Sequence, residues 1–125
     1  MKIKAVPIAE QHHPFVLANW LAQYRKNQFP PYPPAQEYFQ KHQELAKKHL
    51  AGWMAVNSED EDQYLGFIAS EGDVIHFIYV KEVFRKLGIG RMLWEAAGKP
   101  KTYTHNIKNT KNLIDRSFVF NPYLF

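Results

Sequence analysis

Hydrophobic and polar positions along the chain follow two different periods, which predict a mixture of strands and helices. Residues 2–8 alternate polar and apolar and contain Pro7, which favours an edge strand because proline cannot donate to a strand ladder. Residues 14–24 carry apolar side chains at helical spacing, and the four prolines within residues 29–34 end that helix. A second helix is predicted over residues 35–50, with Gly52 as its stop.

The middle of the chain has the period of strands. Residues 53–70 predict a hairpin around an acidic turn, and residues 74–80 form a third strand that is apolar on both faces and therefore central. On a regular strand, His76 shares one face with Ile78, whereas Ile75 lies on the other.

The last third predicts one strong helix and three weaker elements. The helix covers residues 88–97, with Gly98 and Pro100 ending it. A strand over residues 101–106, a short helix over 107–115 and a terminal strand over 117–125 follow. The predicted fold class is α/β (α+β): one domain, residues 1–125, with a mixed, mostly antiparallel central sheet flanked by about four helices.

Composition agrees with a folded globular protein. The 125 residues are 46% hydrophobic and 22% charged, enough to build one core. The absence of cysteine excludes disulfides, thiolate metal sites and a cysteine nucleophile. No uncharged run approaches the ~20 residues that span a bilayer. These features predict a cytoplasmic protein without a membrane partner.

The positive charge is concentrated near the C-terminus. The net charge is +4, and residues 99–116 contain five lysines or arginines against one acid. Such a segment suits nucleic acid, a phosphorylated cofactor or simply solubility, and the sequence leaves these alternatives open.

The segment "RKLGIGR" between the third strand and the strong helix indicates an anion site. Glycines at a helix N-terminus expose backbone N–H groups to a ligand, and the helix dipole favours negative charge there. The nucleotide P-loop is excluded because Gly90 is followed by Arg91 and Met92 instead of Lys and Ser or Thr. The dinucleotide fingerprint is excluded because Leu93 stands where a small residue is required.

A third phosphate-binding pattern fits the spacing. Arg85, Gly88 and Gly90 after an apolar antiparallel strand resemble the Arg/Gln-x-x-Gly-x-Gly/Ala pyrophosphate signature of the GNAT superfamily of N-acyltransferases. The order of predicted elements is also similar to that family over nearly the whole chain. The resemblance implies an acetyl-CoA-dependent N-acetyltransferase that moves an acetyl group to a primary amine of a small molecule or peptide by direct attack.

The resemblance also implies where the cofactor binds. The pantetheine arm would lie along residues 78–80, and the pyrophosphate would rest on the loop and the start of the next helix. The implied cofactor residues are Ile78, Tyr79, Val80, Arg85, Lys86, Leu87, Gly88, Ile89, Gly90, Arg91, Asn106 and Asn109.

Catalytic residues are less well indicated. The family commonly uses a tyrosine on the helix after the fifth strand as general acid, but residues 107–116 contain none. Tyr103, His105 and Tyr123 are the nearby substitutes. His76 is the candidate base, with a buried core histidine as the competing interpretation. No metal is predicted, because His42 and His49 are two helical turns apart and cannot share an ion without other ligands.

Three alternatives remain from the sequence. The chain is short for the family and lacks the usual last strand, so a homodimer partner would complete the sheet. A catalytically inactive CoA-binding relative is the second alternative. The third is a basic nucleic-acid-associated protein, such as a phage accessory protein, which is not favoured. The same resemblance implies that Phe29, Tyr32 and Tyr24 border the acceptor site. From the residues alone, the proline-rich loop over 29–34 is either a polyproline ligand for a partner or a stiff connection packed on the domain, and the stiff connection is favoured.

Overall fold

A computed structural model describes residues 2–28, 33–104 and 118–125. The elements in chain order are β1 (Ile3–Pro7), α1 (His13–Gln28), α2 (Pro33–Ala46), β2 (Gly52–Asn57), β3 (Asp60–Glu71), β4 (Val74–Val80), α3 (Ile89–Ala96), β5 (Thr102–Tyr103) and β6 (Val119–Phe120). Short 3₁₀ helices cover Glu10–His12, Glu82–Phe84 and Pro122–Leu124.

The six strands form one sheet in the order β1-β2-β3-β4-β5-β6. The first four strands pair antiparallel with their sequence neighbours, as short turns allow. β5 pairs parallel with β4, because α3 carries the chain back across the sheet before β5 begins. β6 also pairs parallel with β5. The predicted α/β class with a mixed, mostly antiparallel sheet is confirmed.

Helices cover both faces of the sheet and create two hydrophobic clusters. The cluster on the face of α1 and α2 contains Val16, Trp20, Ala46, Met54, Val56, Phe67, Ala69 and Phe77. The cluster on the face of α3 contains Ala55, Leu65, Ile68, Ile75, Ile78, Ile89 and Leu93. Alternate burial of strand residues on the two faces accounts for strands that read as apolar throughout.

A β-bulge in β4 overturns the predicted orientation of its side chains. Ala69 pairs with Phe77 and Ser70 pairs with Ile75, so His76 is an extra residue with no partner position on β3. Ile75 consequently packs with Ile78 in the α3-side cluster. The prediction that His76 shares a face with Ile78 was wrong, because the bulge shifts the alternation by one residue.

Other predicted boundaries shift by a few residues. α2 covers 33–46 instead of 35–50, and the predicted terminal strand over 117–125 is reduced to β6 and a 3₁₀ turn. Of the predicted strand over 101–106, Thr102–Tyr103 form β5, and residues 105–106 lie outside the described residues. The predicted helix over 107–115 and the proline-rich residues 29–32 lie outside the described residues.

Candidate functional site

The C-terminal half of β4 has an open edge. β5 pairs only with Val74 and Ile75, and the last contact is the Thr104 N–H, which donates to the Ile75 carbonyl at 3.0 Å. Beyond Ile75, no strand within the described residues pairs with this edge of β4. Among the described residues, the backbone groups on this edge of β4 beyond Ile75 are therefore open to a ligand.

Alternation along β4 identifies the exposed backbone groups. The Lys81 N–H donates to the Leu65 carbonyl at 2.9 Å, so it points toward β3. Because backbone groups alternate in direction along a strand, the N–H groups of Ile78 and Val80 point to the open edge. These are two of the backbone positions that the sequence assigns to cofactor binding.

Arg85 ties the following loop to the same edge. Its Nε donates to the Val80 carbonyl at 2.9 Å, although the residue is exposed. This bond satisfies the last carbonyl on the open edge and positions the guanidinium beside it. The terminal nitrogens of the guanidinium carry further N–H donors that suit an anion at this point.

The loop then delivers backbone donors at the start of α3. Lys86 and Gly88 have left-handed backbones, with φ of 67° and 79°. The first helical bond runs from the Met92 N–H to the Gly88 carbonyl at 3.0 Å. The N–H groups of Ile89, Gly90 and Arg91 therefore lack intrahelical acceptors and form the positive end of the helix dipole.

Gly88 and Gly90 lack side chains for different reasons. The left-handed φ of Gly88 is sufficient to explain why glycine occupies that position. Gly90 lies in α3, and a Cβ placed on it would have a single near neighbour, Ile78 Cδ1 at 3.9 Å. Neither strain nor crowding within the protein requires glycine there. The open space at the Cβ position of Gly90 would admit a phosphate group close to the backbone, and we call this space the cradle.

The remaining side chains of the loop divide between solvent and the helix. Lys86 is exposed, and Leu87 is 60% exposed, whereas Ile89 is buried in the α3-side cluster. The Arg91 guanidinium lies 4.0 Å from Glu95 and 5.8 Å from the Trp94 ring, so it already has neighbours on its own helix. Lys86 and Arg85 are the better placed cations for an anionic ligand.

Comparisons with known proteins agree with this geometry. Residues 15–99 match the sequence profile of the acetyltransferase (GNAT) family. The chain belongs to the GNAT family. The match includes β4, the glycine loop and all of α3, where the resemblance was recognised.

Two solved structures share the fold. The apo form of YjaB from Escherichia coli is 24% identical over 78% of this chain, with a TM-score of 0.57; the alignment spans 65% of that protein, just under two thirds. An acetyl transferase candidate from Pyrococcus furiosus is 20% identical, covering 90% of this chain and 89% of the other, with a TM-score of 0.61. A comparison with curated proteins gives no significant match.

The GNAT chain separates the catalytic candidates that its sequence suggested. His76 is 2% exposed and points to the α1–α2 face, where its ring lies 5.5 Å from that of Phe125. Tyr103 packs in the cluster on the α3 face, with its ring 5.3 Å from that of Phe120. The two side chains lie on opposite faces of the sheet. Tyr123 is 94% exposed.

Of the remaining assigned residues, only Tyr24 lies within the described part of the chain. His105, Asn106 and Asn109 lie outside the described residues, as do Phe29 and Tyr32 of the predicted acceptor border. Tyr24 is described, and its ring stacks on that of His42 with centroids 3.4 Å apart. Burial raises the pKa of Tyr24.

The structure also shows a polar cluster that sequence analysis missed. The Glu71 carboxylate lies 2.6 Å from His49 Nδ1 and 3.7 Å from His76 Nε2. The Thr104 hydroxyl lies 3.2 Å from His76 Nδ1 and orients the ring from the other side. Burial, reinforced by the neighbouring His49, lowers the pKa of His76 to about 4, although Glu71 acts in the opposite direction. His76 is therefore neutral near pH 7.

Within the described residues, no helix combines the length and apolarity needed to cross a membrane.

Proposed function

We propose that this GNAT protein is an N-acetyltransferase that uses acetyl-CoA and transfers the acetyl group to a primary amine of a small molecule or peptide. The observation that carries the proposal is the presence of two groups of backbone donors, one at the open edge of β4 and one at the N-terminus of α3, with Arg85 bonded to the strand edge between them. Acetyl-CoA supplies an acetyl thioester for direct transfer. Its extended arm and pyrophosphate match an open strand edge followed by an anion-binding helix start.

Each group of donors binds a different part of acetyl-CoA. The N–H groups of Ile78 and Val80 bind the amide-containing arm, as an added strand would. An N–H on the same edge polarises the thioester carbonyl as negative charge develops on its oxygen. The amides of Ile89, Gly90 and Arg91 hold the pyrophosphate, and Arg85 and Lys86 balance its charge.

The transfer requires little proton chemistry from side chains. The acceptor nitrogen bonds to the acetyl carbon while the carbon–sulfur bond breaks. The nitrogen loses one proton and the departing thiolate gains one, so the exchange balances through ordered water. His76 was the predicted base, but a pKa of about 4 makes it a weak proton acceptor. The role of Tyr103 or His105 as acid stays a prediction.

A thiol-release assay tests the proposal directly. Because the chain contains no cysteine, a thiol reagent reports only the CoA set free by the reaction. The protein is incubated with acetyl-CoA and a panel of polyamines, amino acids and peptides, and the acetylated amine is identified by mass spectrometry. Thiol release that depends on the amine supports the proposal. Binding of acetyl-CoA without release across the panel would favour the inactive relative.

A matched pair of variants locates the activity. Gly90→Val places a side chain in the cradle, and we expect CoA release at subsaturating acetyl-CoA to fall at least about tenfold, equivalent to about 1.4 kcal/mol. Ala96→Val makes a similar addition in the last turn of the same helix, away from the cradle, and should retain activity. Equal activity in both variants would contradict the site.

The basic segment 99–116 gives the alternative function a test of its own. A nucleic-acid protein would bind DNA or RNA with an affinity that falls steeply with salt. We expect weak, salt-dependent binding of DNA or RNA that acetyl-CoA does not displace.

A further inference from the structure

Three metal-ligating side chains from separate parts of the chain meet on the α1–α2 face. His49 lies between α2 and β2, Glu71 ends β3, and His76 occupies the bulge of β4. Their ligand atoms all lie within 4.8 Å of one another. The two imidazole rings are close neighbours, with centroids 4.2 Å apart.

The spacing is near that of a tetrahedral site. Ligands bound at ~2.0–2.2 Å to one ion lie roughly 3.3 Å from each other. The two contacts of the Glu71 carboxylate, at 2.6 Å and 3.7 Å, bracket this value. The Glu71 side chain is 48% exposed and His49 is 18% exposed, so both can adjust and solvent can reach the site.

The surroundings support a metal ion as well. The Thr104 hydroxyl can accept the Nδ1–H of His76, which leaves Nε2 to face the carboxylate as a ligand. The ring of Phe125 lies 5.1 Å from His49 and 5.5 Å from His76, and it forms an apolar wall beside them. A hydrogen-bonded histidine and an apolar border are common features around bound metals.

We propose that His49 Nδ1, the Glu71 carboxylate and His76 Nε2 bind one Zn²⁺ ion, with water in the fourth position. Two imidazoles and one carboxylate are a donor set that suits zinc better than magnesium or calcium, which prefer oxygen ligands. The ion would join the segment after α2 to β3 and β4, next to the last residues of β4 that pair with β5. The inference does not depend on acetyl transfer.

Spacing along the chain excludes a shared metal ion only for ligands that are close in sequence. His42 and His49 were rejected because their spacing prevents a shared ion. The structure instead combines His49 with residues 22 and 27 positions further on. The pairing of β2 with β3 brings His49 to Glu71, and the β3–β4 hairpin brings His76 to the same place.

Calorimetric titration of ZnCl₂ into the untagged, chelator-treated protein tests this proposal. We expect one ion per chain in the wild type. Glu71→Gln and His49→Ala should each weaken binding at least about tenfold, as expected when a ligand is lost. Glu59→Gln is the matched control because Glu59 is an exposed carboxylate in the β2–β3 turn, and it should bind zinc as the wild type does.

Two further measurements separate a real site from loss of folding. Circular dichroism of metal-free Glu71→Gln should match the wild type, so its weaker binding cannot come from unfolding. Co²⁺ should give the intense visible absorption of a tetrahedral site.

Thr104→Val should weaken binding by about 10–100-fold through the orientation of His76. Zinc affinity unchanged by Glu71→Gln, absence of one-to-one binding, or a weak octahedral cobalt spectrum would overturn the proposal.

Discussion

The two faces of the sheet use different chemistry. On the face of α1 and α2, the core combines aliphatic side chains with buried aromatic rings, and three nearly buried histidines, His12, His42 and His76, lie there at 3%, 5% and 2% exposure. On the face of α3, the buried residues are aliphatic. The first face offers polar side chains to a ligand, whereas the second supports a loop that offers backbone amides. A single sheet therefore separates the metal site and the cofactor site that we propose.

Ring contacts hold the α1–α2 face together. The Trp20 ring stacks on that of Phe77 with centroids 5.4 Å apart, and the Phe77 ring lies 6.1 Å from that of Phe67. Phe125, the last residue, contacts Trp20 and His42 with centroid distances of 5.9 Å and 5.0 Å. Such contacts add to the burial energy of large rings. The α3 face depends on the fit of branched aliphatic side chains instead.

The largest expected effects come from truncating the core on either face. Trp20→Ala should lower the free energy of unfolding by about 4 kcal/mol, and Leu93→Ala by about 3 kcal/mol. Both residues are fully buried. Because Leu93 docks α3, its loss should also weaken acetyl-CoA binding by the folded protein, whereas Trp20→Ala should not. Urea unfolding and calorimetry measure the two quantities. Equal losses of affinity would remove the distinction between the faces.

Acid should destabilise the protein through the α1–α2 face. Burial of His76, with His49 beside it, lowers its pKa from 6.5 to about 4, and burial lowers the pKa of His12 in the same direction. The unfolded chain then binds more protons between these pH values. The contribution of these neutral histidines to the free energy of unfolding is therefore fully present above about pH 6.5. It is lost as the pH falls toward 4, and the loss for His76 is about 3 kcal/mol.

Urea unfolding of the metal-free protein in the presence of chelator measures this effect. The midpoint should decrease from pH 7 to pH 5. A midpoint that stays constant or increases would show that His76 and His12 are not held neutral by burial.

A smaller effect should distinguish the two arginines near the loop. Arg85 bonds to the edge of β4, and Arg91 has neighbours on its own helix. We expect Arg85→Gln to weaken acetyl-CoA binding about tenfold and Arg91→Gln to weaken it less, because only Arg85 links the strand edge to the loop. Calorimetric titration at one salt concentration compares them. A larger loss for Arg91→Gln would place the phosphates further along α3.

The strand and helix of the proposed cofactor site could be predicted from sequence because their signal is local. The glycine spacing, the apolar strand before it and the amphipathic helix after it lie within residues 74–97. The fold class followed from the same periodicity. Arg85 was predicted as a phosphate ligand, but its bond to Val80 was not foreseen.

The histidine side could not be predicted for equally physical reasons. An extra residue at His76 reverses the alternation of β4, and no pattern in the sequence marks a bulge there. His49 and Glu71 meet only because β2 and β3 pair. Signals of this kind depend on register, which a periodic pattern defines weakly when both faces of a strand are buried.

The most direct test of the central claim, that the loop before α3 binds acetyl-CoA, is a comparison of Gly90→Val with Gly90→Ala and the wild type. The family signature admits glycine or alanine at position 90, so Gly90→Ala should keep acetyl-CoA binding. Alanine also favours a helix and meets open space there, so its unfolding should require about 0.4–1 kcal/mol more free energy. The larger valine side chain should occupy the cradle and weaken binding at least about tenfold by calorimetry. Binding of acetyl-CoA by folded Gly90→Val as tight as that of the wild type would contradict the claim.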